Sequence, residues 1–238
     1  MNAAMYKALS GALVQTRRLE LVTQDLANVN TAGYKGERIV FREVLEASPK
    51  PDERIGGQVV VTEQRTDFSN GNLRPTGNPL DLALMGEGFF AVQTTAGVRY
   101  TRQGAFSLSV NKTIVTPAGE AVLGESGPIR VDGDKVDIAA DGAVLVDGEE
   151  VDRLKIVRAE DPRRLVREGQ TFFRAEDADV QPATAVQVVQ GSLEEANVSP
   201  IESMVALIDL QRQFEAYERA MRTMDSVTEK VVDQAGRL

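Results

Sequence analysis

The amino-acid sequence predicts an α+β fold, in which long N- and C-terminal helices pair in a coiled-coil-like layer and a central domain is all β. A heptad spacing of apolar residues near each end of the chain predicts the two helices. Between them, short β-branched runs alternate with glycine-containing turns and predict strands. The predicted domains are a discontinuous helical assembly domain over 1–35 and 195–238, an extended linker over 36–57 and an all-β domain over 58–194.

The N-terminal helix is predicted from an apolar seam that one polar residue, Gln15, interrupts. The seam positions are Met5, Ala8, Ala12, Leu19, Val22, Leu26 and Val29. The helix is expected to end between Asn28 and Gly33, because asparagines, a threonine and a glycine replace the periodic pattern there.

The C-terminal helix is predicted to begin at Pro200. The segment Ser199-Pro200-Ile201-Glu202 has the pattern of a capping box, with proline at the first helical position. The seam of this helix comprises Leu207, Leu210, Phe214, Tyr217, Met221, Met224 and Val231. A second apolar stripe widens the apolar face and comprises Ile201, Met204, Val205 and Ile208. The wide face predicts packing against several helices.

The alternative interpretation of the two seams is an ordinary pair of helices packed on a globular core. At 1.5 Å per residue the predicted helices are ~40 and ~54 Å long, which is longer than a single small domain requires. The lengths therefore favour an assembly interface, in which neighbouring subunits supply partner helices to the seam residues.

The central domain is predicted to consist of short strands separated by tight turns. The predicted strands are 58–64, 88–92, 98–101, 105–110, 113–116, 143–146, 151–157 and 185–189. The predicted turns are Asn70-Gly71, Gly77-Asn78-Pro79, Asp132-Gly133, Asp141-Gly142 and Asp147-Gly148. Each turn contains a residue type that tolerates a tight reversal of the backbone.

The composition argues against several classes of function. The chain has 238 residues and contains no histidine, cysteine or tryptophan. It therefore lacks the side chains of the usual serine or cysteine triads and of thiolate or imidazole zinc sites, and we expect no enzymatic activity, cofactor or metal. The net charge of −9 argues against nucleic acid as a partner, because phosphate binding needs a basic surface.

The sequence predicts neither a membrane span nor a cleaved signal peptide. No window of about 18 residues is continuously apolar, and the N-terminus lacks a basic region followed by an apolar core. Export from the cytoplasm would therefore need another route. The absence of cysteine is compatible with passage of an unfolded chain through an export channel.

Three segments have patterns that can bind ligands, and each has a structural interpretation that we favour. Residues 86–91 have the letters of a dinucleotide fingerprint, but the glycines precede a strand instead of a helix. An acidic cluster coincides with Asp-Gly turns and lacks the spacing of an EF-hand; it comprises Asp132, Asp134, Asp137, Asp141 and Asp147. A basic patch is predicted to be solvated, with contact to an acidic neighbour as the alternative; it comprises Lys155, Arg158, Arg163, Arg164 and Arg167.

Three longer motifs resemble the conserved blocks of bacterial flagellar rod and hook proteins. The N-terminal block includes Leu26, Ala27, Asn28, Thr31, Gly33, Tyr34 and Lys35. The second block continues to 100–106 and includes Asn78, Pro79, Leu80, Asp81, Gly86, Gly88, Phe89 and Phe90. The C-terminal block spans 191–202 and includes Asn197 and Val198. The chain departs from the family at 111–113, where a glycine turn is common.

The resemblance implies a structural subunit of the flagellar basal-body rod, which assembles through its terminal helices into the tubular drive shaft. A proximal rod subunit is the nearest type, and a distal rod or other hook-type axial protein is the alternative. The implied partners are proximal and distal rod subunits, copies of the chain itself and the flagellar type III export apparatus. The implied location is the periplasmic rod of the basal body.

The N-terminal block also predicts a defined backbone turn. Gly33 is expected to adopt a positive φ where the helix ends, because glycine has no Cβ to oppose that conformation. Tyr34 is expected to pack its ring beside the linker and to keep its hydroxyl in water.

Overall fold

The computed structural model describes residues 3–44, 58–175, 180–183 and 185–235. Within these ranges the chain forms two α-helices, one short 3-10 helix (Pro162–Arg164) and eighteen strands. The chain divides into two compact units. The helical unit comprises Met1–Ala27, Glu37–Arg65 and Pro200–Leu238, and the β unit comprises Asn28–Gly36 and Thr66–Ser199.

The helices are α1 (Ala3–Ala27) and α2 (Pro200–Ala235). The strands are β1 (Glu37–Val44), β2 (Gln58–Thr66), β3 (Leu73–Pro75), β4 (Leu82–Met85), β5 (Phe89–Thr94), β6 (Gly97–Thr101), β7 (Ser107–Leu108), β8 (Ile114–Val115), β9 (Ala121–Val122), β10 (Val136–Ile138), β11 (Ala143–Val146), β12 (Glu149–Arg153), β13 (Ile156–Ala159), β14 (Val166–Glu168), β15 (Phe172–Arg174), β16 (Val180–Pro182), β17 (Gln187–Gln190) and β18 (Ser192–Glu194).

In the helical unit, α1 and α2 pack against each other in an antiparallel arrangement. Gly11 lies beside Tyr217. Leu21, which follows Gly11 along α1, lines a cavity with Leu210, which precedes Tyr217 along α2. The two helices therefore run in opposite directions. The strands β1 and β2 form a two-stranded sheet, and β1 also contacts α1. Among the described residues, neither helix has a stretch long and apolar enough to cross a membrane.

The prediction of a coiled-coil-like layer around a central all-β domain is wrong as a fold class. The described residues form one helix near each end and a large β-rich body, and the helices do not bury a continuous heptad seam. On α2 the seam residue Leu210 is buried, but Phe214 is 38% exposed. Among the α1 side chains that the structure describes, Leu21 is buried, and it is not a seam position. A coiled coil requires successive seam residues to be enclosed by the partner helix.

The individual elements agree with the sequence prediction to different extents. Helix α2 begins at Pro200, as the capping box predicts. Strand β1 lies within 36–57, which was predicted to be an extended linker, and 45–57 lie outside the described residues. The predicted strand 151–157 is wrong, because the chain forms two strands there, β12 and β13. The proposed domain boundaries stay a prediction.

The β unit is built around a nine-stranded sheet. Seven strands follow the order β14-β15-β6-β5-β9-β8-β7, and β13 joins β5 to β16. A three-stranded sheet has the order β10-β11-β12, and two smaller sheets pair β17 with β4 and β18 with β3. All these pairs are antiparallel.

Strand β5 is buried on both of its faces because successive side chains of a strand point in opposite directions. Phe90 and Val92 belong to one apolar cluster, in which Phe90 meets Phe106 edge to face at 5.2 Å. Phe89 and Ala91 belong to a second cluster on the other face. This double burial makes β5 the centre of the β unit.

Two turns place a non-glycine residue in the left-handed region. Lys112 has φ +55° and Asp147 has φ +54°. The Asp147 carboxylate accepts hydrogen bonds from the backbone N–H of Lys135 (3.0 Å) and Asp134 (3.4 Å). The Lys112 side chain is exposed and forms a surface ion pair with Asp132. The two residues therefore have similar backbone strain. At Asp147 two side-chain hydrogen bonds offset this strain, whereas Lys112 has a surface ion pair.

We expect Lys112→Gly to stabilise the chain by about 0.5–1 kcal/mol, because relief of the left-handed strain outweighs the added entropy of the unfolded glycine. Asp147→Gly relieves the same strain but removes both hydrogen bonds of the carboxylate, so we expect a loss of about 1 kcal/mol. Urea unfolding of both variants measures the difference. Destabilisation by Lys112→Gly would contradict the prediction.

Candidate functional site

The three family motifs meet at one place in the β unit, which we call the motif junction (residues 28–36, 78–90, 102 and 191–197). The backbone N–H of Gly33 donates a hydrogen bond to the Glu194 carbonyl at 2.7 Å, and Asn197 N–H donates to the Tyr34 carbonyl at 3.3 Å. These bonds join segments that lie about 160 residues apart in the chain. The motif junction therefore brings the N-terminal motif and the C-terminal motif together in the β unit.

A fully buried ion pair lies at the centre of the motif junction. The Lys35 ammonium donates to Glu194 Oε1 at 2.6 Å and to the Ser69 carbonyl at 2.6 Å. The side chains of Lys35 and Glu194 are 0% and 1% exposed. Burial lowers the pKa of Lys35, and the Glu194 carboxylate opposes this shift.

Arg102 adds a second buried cation to the same carboxylate. Its guanidinium donates to Glu194 Oε2 at 3.3 Å and to the carbonyls of Leu84 (3.2 Å) and Gly86 (2.5 Å). The guanidinium also lies 5.4 Å from the centre of the Phe89 ring. Burial lowers the pKa of Arg102, and the Glu194 charge opposes this effect.

Glu194 therefore holds three donors from three parts of the chain. Besides Lys35 and Arg102, the backbone N–H of Gly71 donates to Oε1 at 3.0 Å. A buried carboxylate that loses its cations, or buried cations that lose their carboxylate, would be strongly unfavourable. This arrangement can position the three motifs relative to one another.

Asn197 also stabilises the motif junction, through hydrogen bonds of both its amide oxygen and its amide nitrogen. Its Oδ1 accepts a hydrogen bond from Gly36 N–H at 2.8 Å. Its Nδ2 donates to the carbonyls of Asp67 (2.7 Å) and Ser69 (3.2 Å). The side chain of a C-terminal motif residue thus holds the backbone that follows the N-terminal motif.

The structure corrects the expected environment of Tyr34. The residue is 0% exposed, so its hydroxyl is not in bulk water. The Arg167 guanidinium lies 5.1 Å from the centre of the Tyr34 ring and 5.2 Å from that of Phe173, and it donates to the Lys35 carbonyl. Arg167 therefore packs against the motif junction and is not part of a separate solvated patch.

Gly33 has φ +67°, as predicted. The preceding turn is held by Thr31, whose N–H donates to the Asn28 carbonyl at 2.9 Å and whose hydroxyl lies 3.3 Å from Asn28 Oδ1. A Cβ on Gly33 would lie 2.3 Å from the carbonyl carbon and oxygen of Arg102. The glycine is required both by its backbone conformation and by the close approach of Arg102.

The second motif contributes a compact turn to the motif junction. Asn78 Nδ2 donates to Asp81 Oδ1 at 3.0 Å, and Asn78 Oδ1 accepts from Leu80 N–H at 3.3 Å. The Asp81 carbonyl accepts from the N–H groups of Gly191 (2.8 Å) and Ser192 (3.2 Å). This turn joins the second motif to the C-terminal one. Gly88 lies directly before strand β5, in agreement with our structural interpretation of the glycine-rich segment.

The predicted assembly residues lie in the helical unit. Leu210 is buried, whereas Ala12, Leu19, Val22, Leu26, Leu207, Tyr217 and Met221 are partly buried. The side chains of Met5, Ala8, Met224 and Val231 lie outside the described residues. The four residues of the second α2 stripe are all at least half exposed: Ile201, Met204, Val205 and Ile208. Assembly through these residues stays a prediction.

Sequence reasoning missed the buried charges of the motif junction. Lys35 belongs to the N-terminal motif and Arg102 to the second motif, but their ion pairs with Glu194 have no local sequence signal. The signal available was the presence of charged residues inside motifs that are otherwise apolar or turn-forming. Within the described residues, no group of three acidic side chains converges as a metal site.

Two regions of the chain match models of known protein families. Residues 83–146 match the flagellar hook protein FlgE/F/G D1 domain, and residues 189–234 match the C-terminal domain of flagellar basal body rod FlgEFG proteins. The motif junction takes residues from both matched regions.

Full-length relatives give the same result. The chain is 32% identical to the flagellar basal-body rod protein FlgF of Caulobacter vibrioides, with 100% of both chains covered. It is 33% identical to FlgF of Salmonella typhimurium, with 94% of this chain and 95% of that protein covered. The rod protein FlgG of Bacillus subtilis is 27% identical, with 98% and 99% covered. On this full-length similarity, the chain belongs to the FlgF family of flagellar basal-body rod proteins.

Proposed function

We propose that the protein is a structural subunit of the proximal rod in the flagellar basal body and that it has no catalytic role. The observation that carries the proposal is the similarity to FlgF proteins over the whole chain. The buried charges of the motif junction suit a structural role, because each is hydrogen-bonded to an opposite charge or to a backbone carbonyl within the chain.

We propose further that the terminal helices make the contacts between subunits. The first turns of α2 carry apolar side chains on two opposite faces. Ile208 lies on one face and Leu210 on the other, since the two positions are separated by about 200° around the helix. Leu210 is buried within the chain, whereas Ile208 is 50% exposed and Ile201 is 74% exposed. An exposed apolar stripe of this length is typical of a surface that another protein covers.

The proposed partners are copies of this chain and other axial subunits of the rod. Their helices would cover the exposed stripe of α2. Delivery to the rod is proposed to use the flagellar type III export apparatus, which places the subunit in the periplasmic part of the basal body. The family supports all of these proposals, and the exposed stripe supports the proposed partners.

We expect Ile208→Asp to abolish rod assembly and swimming while changing the unfolding free energy of the isolated subunit by less than about 0.5 kcal/mol, as is usual for an exposed position. A charge buried at a subunit interface without a partner is strongly unfavourable. The measurements are recovery of rods from cells that carry only the variant, a motility assay and urea unfolding.

The matched control is Ile208→Leu, which keeps an apolar side chain of similar volume and is expected to assemble and swim normally. Normal rods in Ile208→Asp cells would contradict assembly through this stripe. Loss of assembly in both variants would show that the effect of substitution at Ile208 does not come from burying a charge in an apolar interface.

A further inference from the structure

Gln15 is the polar residue that interrupts the apolar seam of α1, and its side chain has an unusual environment. The Gln15 amide oxygen is buried, and among the described residues it has no hydrogen-bond partner. Other polar side chains of α1 do find partners: the hydroxyls of Thr16 and Thr23 donate to carbonyls one turn earlier, at 3.0 and 2.7 Å. Gln15 therefore differs from its polar neighbours on the same helix.

The position of Gln15 places it on the side of α1 that faces α2. Gly11, one turn earlier, approaches Tyr217, where an added Cβ would lie 3.3 Å from the hydroxyl oxygen. Val22, two turns after Gln15, lines a cavity together with Leu210 of α2. Residues four and seven apart share a helix face, so Gln15 lies between these two contacts.

A buried carbonyl oxygen without a donor weakens the packing around it, because the oxygen has lost its water and gained nothing in return. Replacement of such a group by an apolar one of the same shape removes that penalty. A polar side chain within an apolar helix interface is also a known means of selecting partner and register, at a cost in stability.

We propose that Gln15 is a partner-selecting residue of the rod interface. In the free subunit its amide oxygen weakens the packing of α1 on α2, and this lowers the cost of rearranging the helices. In the rod, a helix of an adjacent axial subunit supplies an N–H or O–H donor to this oxygen. The inference rests on the proposed function and adds to it the residue that distinguishes a correct neighbour from an incorrect one.

The test is Gln15→Met, which is close in shape and in helix propensity but cannot accept a strong hydrogen bond. We expect the midpoint of thermal unfolding of the isolated subunit to rise by about 2–4 °C, which is the size expected for relief of one such penalty in a chain of this length. We expect the amount of subunit recovered in rods to fall about tenfold, when the variant competes with the original chain in the same cells.

The matched control is Gln24→Met, the same substitution at a glutamine of α1 that has an interaction partner. This control is expected to show no rise in the midpoint. An unchanged or lower midpoint for Gln15→Met would overturn the proposal, and so would a raised midpoint with normal recovery in rods. Failure of Ile208→Asp to block assembly would instead contradict the proposed function, so the two failures are distinguishable.

Discussion

Glu194→Gln is expected to destabilise the β unit by about 3–5 kcal/mol, because the substitution leaves two buried cations without their counter-charge. Lys35 and Arg102 are 0% and 3% exposed, so water cannot replace the lost carboxylate. The stability of a typical domain is only about 5–15 kcal/mol, so the expected loss is a large share of it. Urea or thermal unfolding of the full chain, followed by far-ultraviolet circular dichroism, measures the change.

The neighbouring residue provides the control for this prediction. Glu195 pairs with Arg74 at 3.8 Å, but their side chains are 42% and 60% exposed. Glu195→Gln is therefore expected to cost about 0–1 kcal/mol, as surface ion pairs usually do. Similar losses in the two variants would show that burial of the Glu194 charge network is not what stabilises the motif junction.

A double variant tests whether Lys35 and Glu194 act as a pair. Lys35→Met/Glu194→Gln removes one of the two uncompensated cations. Its loss of stability is expected to be smaller than the sum of the two single losses by about 1–3 kcal/mol, since residues in one ion network are not additive. Simple additivity would mean that the two charges do not stabilise each other.

Gly33→Ala is expected to destabilise the β unit by about 2–5 kcal/mol, from overpacking and from left-handed strain together. The new Cβ would lie 2.3 Å from the carbonyl carbon and oxygen of Arg102 and 2.4 Å from the Gln103 nitrogen. All three are backbone atoms, so no side-chain rotation can relieve the overlap. Cells that carry only this variant are expected not to swim, and urea unfolding measures the loss.

Gly77 separates the contribution of the close contact from that of the backbone conformation. It has φ +76°, close to that of Gly33, but a Cβ there would meet no atom within 4 Å. Gly77→Ala is expected to cost about 1 kcal/mol, the strain of the left-handed region alone. Equal costs at the two glycines would contradict the packing argument for Gly33.

The features that could be predicted from the sequence are those set by neighbouring residues. A proline preceded by serine and followed by glutamate marks a helix start, and α2 begins at Pro200. A glycine after a helix favours positive φ, and Gly33 adopts it. The family resemblance rests on contiguous motifs, and comparison with full-length relatives confirms it. In each case the deciding interactions lie within a few residues of one another.

The coiled-coil prediction was wrong for a reason that also concerns local patterns. A heptad seam states which side chains lie on one helix face, but not whether a partner encloses them. In the structure Leu21 is buried although it is off the seam, and Phe214 is 38% exposed although it is on the seam. Which part of a helix face is covered depends on the neighbours that the fold brings to it.

The sequence alone determined that α2 begins at Pro200, that Gly33 has a positive φ, and which family the chain resembles. The tertiary structure alone decided that Lys35, Arg102 and Glu194 share one buried site, that Arg167 covers Tyr34, and that β18 pairs with β3. Their partners lie up to 159 residues apart in the chain, so no periodicity or short motif encodes the pairing. Only the folded β unit removes water from these charges, and burial makes the attraction between Glu194 and its two cations strong.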